Sequence, residues 1–201
     1  MKFTIVSGSS RTNSQSGKVS RFIQDRLAEK AETSSYMLSL EGNPLPLWDE
    51  TIWQGAPFWK ESWDPIKAEL QSSEAFIFVV PEWGGMVPSA VKNFFLLCSA
   101  RELGHKPGLI VSISSARNGV YPVAELRMSS FKNNRLLYIP EHLIVREVEK
   151  MFNADEPTLE DDIYMRQRLD YCLNLLQAYS RSLSEVRASG VIDHKTFPNG
   201  M

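Results

Sequence analysis

The chain has 201 residues, 43% hydrophobic and 23% charged, and its 22 Lys and Arg against 24 Asp and Glu leave a formal net charge of −2. That length most simply makes one domain with its own core, and the near-neutral balance argues against nucleic acid or an anionic membrane surface as the main partner. Cys98 and Cys172 lie far apart inside apolar runs and read as buried small hydrophobes, while His105, His142 and His194 show no ligand spacing, so neither a disulfide nor a metal site is expected. No apolar run is long enough for a membrane span and the start lacks a signal peptide's charged-then-apolar layout, which makes the cytoplasm the expected location.

The first strand is announced by Phe3, Ile5 and Val6, which run into a segment of almost only Gly, Ser, Thr and Asn with Arg11 among them. Val19, Phe22, Ile23 and Leu27 then follow at the spacing of one buried helix face. A strand, a hydroxyl-rich loop and a helix N-terminus in that order suit an anion, because unpaired N–H groups and hydroxyls converge where the macrodipole is positive. The same segment also reads as an ordinary βα loop with a serine cap. A second strand is predicted over Tyr36 to Leu40, then a loop rich in Pro, Gly and Trp from Glu41 to about Phe58, then a helix from about Lys60 to Gln71. Ala75 to Val80 is a continuous apolar run, as a central parallel strand buried on both faces requires. The stretch PEWGGMVPSAVKNFFLLC turns into a helix near Pro88, and Gly108 to Ser114 gives a fourth strand. A helix from Val120 to about Asn133 precedes a fifth strand at Leu136 to Ile139, extendable by Leu143 to Val145. A long last helix spans about Thr158 to Arg187, and residues 188–201 read as a tail outside a single domain of residues 1–187.

Alternating strands and helices predict an α/β fold, a doubly wound five-stranded parallel sheet of flavodoxin-like order 2-1-3-4-5. In such a sheet the loops after strands one, three and four share the carboxyl edge. Those loops here are GSSRTNSQSG, PEWGGMVPSAVKN and SSARNGVYP.

Together they resemble the NADPH-dependent FMN reductase family of the flavodoxin-like superfamily, which includes quinone, chromate and azo-dye reductases. The family shows a G-S-x-R-x-x-S start and a P-E-Y-N-x-x-x-P-x-x-x-K-N motif after strand three. This chain carries Gly8, Ser9, Ser10, Arg11 and Ser14, then Pro81, Glu82, Trp83, Gly84, Pro88, Lys92 and Asn93. It departs in having Trp83 for Tyr, Gly84 for Asn, and SSARNG without a glycine pair.

The resemblance implies an FMN cofactor, with NADPH or NADH as co-substrate, a small-molecule electron acceptor such as a quinone, and a homodimer or homotetramer. Ser9, Arg11, Ser14, Gln15 and Ser16 match the phosphate loop. Pro81, Glu82, Trp83, Gly84 and Gly85 would lie along the polar edge of the isoalloxazine, the glycines allowing close approach. Glu82 is expected to bond backbone N–H groups and to do no acid–base work. Ser115 and Arg117, with Asn118 and Gly119, would approach from the opposite side, Arg117 reading equally as an exposed loop arginine. The flavin chemistry needs no protein nucleophile, so no catalytic side chain is expected. The crowded tryptophans Trp48, Trp53, Trp59 and Trp63 read as core or dimer packing, or as a lid on substrate. Three rivals stand beside this reading. TNSQSGKV imitates a P-loop but has Thr12 for its first glycine and Val19 for its magnesium-binding hydroxyl. A flavodoxin-type carrier would commonly be strongly acidic. A degenerate relative that has lost flavin is the third.

Overall fold

In the computed structural model, which describes residues 1–200, five strands form one parallel sheet of order β2-β1-β3-β4-β5. The strands are β1 (Lys2–Ser7), β2 (Ser34–Ser39), β3 (Ala75–Pro81), β4 (Pro107–Ile113) and β5 (Leu137–Val145). Between and around them lie α1 (Gln15–Ala28), α2 (Pro57–Ser62), α3 (Asp64–Gln71), α4 (Ser89–Leu97), α5 (Ala100–Leu103), α6 (Val120–Met128) and α7 (Glu160–Ala188).

Strand alternation splits the core in two. Ala75, Ile77 and Val79 of β3 face one layer, with α1 and α7 supplying Val19, Ile23, Leu169 and Leu173. Phe76, Phe78 and Val80 face the other, closed by Leu70, Val91, Phe94, Val123 and Leu126 of α3, α4 and α6. Every residue of β3 is buried. Under the far edge Lys106 is also buried, and its Nζ donates to the carbonyls of Leu70, Gln71 and Glu102 at 3.1, 2.9 and 2.9 Å, closing the C-terminal end of α3. No helix is long and apolar enough to cross a membrane among the described residues.

Several boundaries differ from the sequence expectation. The helix expected over Lys60 to Gln71 is two, because Pro65 cannot donate to a carbonyl one turn back and the backbone bends at Trp63 (φ −114°). Helix α6 stops at Met128, since Ser129 is extended and Ser130 sits at φ 68°, while their hydroxyls take the carbonyls of Glu125 and Leu126. Strand β2 lies a little earlier than expected, at Ser34–Ser39. Strand β5 is continuous through Pro140 as an edge strand. Its register shifts there, with Gly108 opposite Tyr138 but Ile110 opposite His142. Arg127 Nη2 donates to the carbonyls of Ile139 and Pro140 at this irregularity, at 2.8 and 3.0 Å. Beyond α7 the chain returns to the amino edge of the sheet, where Arg135 Nη2 reaches the Phe197 carbonyl at 2.5 Å.

Candidate functional site

The loop after β1 is shaped by what it must pass. Gly8 N–H donates to the Val79 carbonyl at 2.8 Å, carrying the ladder one residue beyond the strand. A Cβ on Gly8 would stand 2.8 Å from Val91 Cγ2 and 2.9 Å from that carbonyl, so only glycine lets the loop cross so close to β3 and α4. Ser9 is buried and its Oγ accepts from the Arg11 N–H at 3.2 Å. Ser14 caps α1: its Oγ accepts from Gly17 N–H at 3.1 Å and its carbonyl takes the first helical bond, from Lys18 N–H.

The N–H groups of Gln15 and Ser16 precede that bond and have no acceptor inside the helix. The buried Ser16 Oγ has no hydrogen-bond partner, and neither has the buried Gln15 Oε1. Rotating the Gln15 amide by half a turn presents its NH₂ instead. Buried polar atoms are normally bonded, and these sit at the positive end of a 14-residue helix. Ser20 Oγ, one turn on, is also unbonded. Arg11 is exposed and forms no ion pair among the described residues. Hydroxyl, amide, free N–H groups and guanidinium together suit a phosphate oxygen set. Gly42 N–H donates to the Ser10 carbonyl at 3.0 Å, and beside this junction a cleft of about 390 Å³ runs between the loop after β2 and the start of α4.

After β3, Trp83 and Met86 exchange two backbone bonds, each 3.0 Å, across a two-residue turn with Gly84 at φ 57° and Gly85 at φ 73°. Two successive positive φ values define the type I′ turn that glycine and asparagine favour. The turn itself therefore requires these glycines, and the space beside them is open: an added Cβ would meet nothing nearer than 3.8 Å at Gly84 or 3.9 Å at Gly85. Asparagine also tolerates this backbone, so Gly84 preserves the turn while omitting a polar side chain.

Glu82 joins the third loop to the fourth. Its N–H donates to the Ile113 carbonyl at 3.1 Å, and its Oε2 accepts from Gly119 N–H at 2.8 Å and Tyr121 N–H at 3.4 Å. Those N–H groups open α6, whose own cap residue, Gly119, has no side chain to serve them. A carboxylate from another loop thus caps the helix. The Gly119 carbonyl is held in turn by the Ser112 hydroxyl at 2.6 Å.

Lys92 and Asn93 of α4 are framework in this geometry. Lys92 Nζ pairs with Glu125 Oε1 of α6 at 2.5 Å, and Glu125 Oε2 accepts from Val87 N–H at 2.7 Å. Burial pushes the Glu125 carboxyl up, but these partners outweigh it and hold the group below its usual range. Asn93 Oδ1 accepts from Trp48 N–H and its Nδ2 donates to the Pro46 carbonyl, both at 2.8 Å, clamping the loop after β2. Glu125 and Tyr121 escaped sequence reasoning, because nothing local marks a partner that lies 38 residues from Val87 or 39 from Glu82.

The β1–β3 pairing sets Ser9, Arg11, Ser14, Gln15 and Ser16 beside Pro81, Glu82, Trp83, Gly84 and Gly85 at the carboxyl edge. Ser115 and Arg117 do not join them by side-chain contact. Both are exposed on the loop after β4, roughly 10 Å, two strand spacings, from β1. Their loop is pinned through backbone instead, with Glu147 N–H to the Ala116 carbonyl at 2.9 Å and Arg146 Nε to the Asn118 carbonyl at 3.1 Å.

Comparison with known proteins agrees with this architecture. A quinone reductase of Pseudomonas putida is 35% identical over 120 residues, which cover 57% of this chain and 61% of that relative. The solved structure of FerB, a flavoenzyme NAD(P)H:(acceptor) oxidoreductase from Paracoccus denitrificans, superposes with a TM-score of 0.67 at 19% identity, covering 92% of this chain and 97% of its own. The apo form of an NADH:FMN oxidoreductase, EMOB, gives 0.66 at 12% identity, covering 90% and 89%. Both structural likenesses concern the fold. Residues 1–150 match the family described as NADPH-dependent FMN reductase, and the chain belongs to that family.

Proposed function

We propose that this protein is an NAD(P)H-dependent FMN oxidoreductase that passes electrons to a quinone-like small acceptor. The single observation that carries this reading is the anion cradle at the switch point of the sheet, where Ser16 Oγ and Gln15 Oε1 lie buried and unbonded at the start of α1. FMN bound there would supply two-electron and hydride chemistry between a reduced nicotinamide nucleotide and the acceptor.

The chain's own residues do the rest. Ser9, Arg11, Ser14, Gln15 and Ser16 hold the phosphate, Arg11 with its full charge. Pro81 to Gly85 offer backbone groups along the flavin's polar edge from a turn locked by the Trp83–Met86 bonds. Glu82 holds the fourth loop, and with it Ser115 and Arg117, in register with the third. Its oxygen is committed to N–H groups, which suits a positioning role and leaves proton transfer to solvent.

The same reading makes residues 1–187 one FMN-binding domain with a C-terminal tail, and gives the protein a homodimeric or tetrameric form. Exposed Leu47 and Met128 support the assembly, being 81 and 79% accessible. A cytoplasmic location fits the two free, buried thiols Cys98 and Cys172.

Anaerobic mixing of FMN-loaded protein with NADPH and then NADH tests the activity. Bleaching of the flavin absorbance by either donor, and its return on adding a quinone, is the expected result. Flavin that stays oxidised with both donors while dithionite bleaches it would sink the reductase reading and leave an electron carrier. Light scattering that finds only monomer at micromolar concentration overturns the assembly.

A further inference from the structure

Four of the chain's five tryptophans border one cleft that takes no part in the cradle described above. The cleft, about 440 Å³, lies between the α2–α3 pair and the α4–α5 junction, and shares no lining residue with the loops at 8–16, 82–86 or 115–119.

The walls are built rather than incidental. Trp59 and Trp63 stand one helical turn apart and are 3% accessible each, and Trp59 Nε1 donates to Thr51 Oγ1 at 2.8 Å. Trp48 is fixed through its backbone to Asn93, and its ring meets Trp53 edge to face with centroids 5.1 Å apart. Trp53 is 76% accessible, a large aromatic surface held in place at the mouth.

The rim is cationic. Lys60, Lys67 and Arg101 border the cleft with Asp64 and Glu102. Lys67 is matched by Asp64 at 3.8 Å. Glu102 is buried and engaged by the Ser99 N–H, the Ser99 hydroxyl and Gln71 Nε2. Lys60 and Arg101 are left without a carboxylate partner or an aromatic face beneath them among the described residues. Flat aromatic walls with two uncommitted cations at the edge are complementary to a flat ring bearing one negative charge, and the volume suits a ligand of that size.

We propose that this cleft is a second ligand site, separate from the cofactor cradle, that binds planar aromatic carboxylates. The ring lies against Trp48 and Trp53, which the buried Trp59 and Trp63 back from beneath, and the carboxylate faces Lys60 and Arg101.

The test uses the full-length protein with 2-naphthoate as probe, followed by calorimetry and by tryptophan fluorescence. Saturable binding with quenching is expected, at least tenfold weaker for the neutral methyl ester. Lys60→Ala and Arg101→Ala should each weaken 2-naphthoate several-fold and leave the ester unchanged. Trp53→Ala, at an exposed position where folding is little affected, should weaken both. Saturating FMN should leave the affinity unchanged, and a protein that binds no FMN can still be titrated, so this outcome is independent of the reductase reading. The proposal is overturned by the absence of saturable binding, by binding that Lys60→Ala and Arg101→Ala leave intact, or by competition with FMN.

Discussion

Replacing Glu82 by Ala should loosen the fourth loop from the third, and its size follows from the geometry. The 2.8 Å bond from Gly119 N–H to a carboxylate is worth about 1.5–3 kcal/mol, whereas the 3.4 Å contact from Tyr121 N–H is marginal and adds little. Loss of a helix cap by itself costs about 0.5–2 kcal/mol. Glu82 is only half-buried, so water re-solvates part of what is lost. The expected destabilisation is about 1.5 kcal/mol, or a fall in Tm of roughly 3–6 °C for a chain of this size. Glu82→Gln keeps an acceptor oxygen without the charge and should lose only about a third as much, roughly 0.5 kcal/mol. Urea denaturation of the wild type and both variants gives the energies, and amide hydrogen exchange at Gly119 localises them. If Glu82→Ala leaves the urea midpoint and the Gly119 protection where they were, the clamp contributes nothing and the reasoning fails. Equal losses in Glu82→Ala and Glu82→Gln would show that the side chain acts by packing and not as a hydrogen-bond acceptor.

Arg11→Ala should weaken FMN by about tenfold, about 1.5 kcal/mol and the low end for a charged hydrogen bond because Arg11 is exposed, while riboflavin binding is unchanged; fluorescence titration with both flavins checks this, and equal losses would remove Arg11 from the phosphate site. Glu125→Gln should alter the acid limb of stability. The folded-state pKa of Glu125 is depressed, so its contribution is present above the ordinary carboxylate range and is lost as pH falls through the folded value; the variant should be less stable than wild type at pH 7, with the gap closing towards pH 3 in urea midpoints. Lys106 gives a slope of the same sign, with stability rising with pH, but in an alkaline window. Burial, helped by the nearby Arg187, pushes it down to about 8, so the unfolded chain binds the extra proton between about pH 8 and its ordinary value near 10.5, and wild-type stability gains over that window relative to Lys106→Met. The methionine variant, which leaves three carbonyls without their donor, should also lose about 1–3 kcal/mol at pH 7 by the same denaturation assay.

Much of the molecule was determined locally and could be read from the chain. The seven buried residues from Ala75 to Pro81 mark a central strand because both faces of a parallel sheet must be apolar. Alternation of strand and helix then admits few topologies, and the order 2-1-3-4-5 is the one found. The capped loop after β1 was visible for the same reason: Gly8, Ser14 and the first turn of α1 are neighbours in sequence, and capping chemistry acts over three or four residues. The break at Trp63 was also within reach, since Pro65 stands in the expected helix.

What only the tertiary structure decided involves partners far apart along the chain. No local pattern links Glu82 to Gly119, 37 residues on, or Val87 to Glu125, 38 residues on. Nor does one show that Lys92 and Asn93 fix the framework, or that Ser115 and Arg117 remain exposed beyond β4. The tryptophans were ambiguous for this reason: composition states how much aromatic surface must be placed, while packing decides which edges meet and which cations stay uncommitted. Side-chain periodicity reports which face is buried. The identity of the group buried against it depends on the closing of loops whose entropy cost is nearly blind to sequence, so that part is settled only when the sheet brings their ends together.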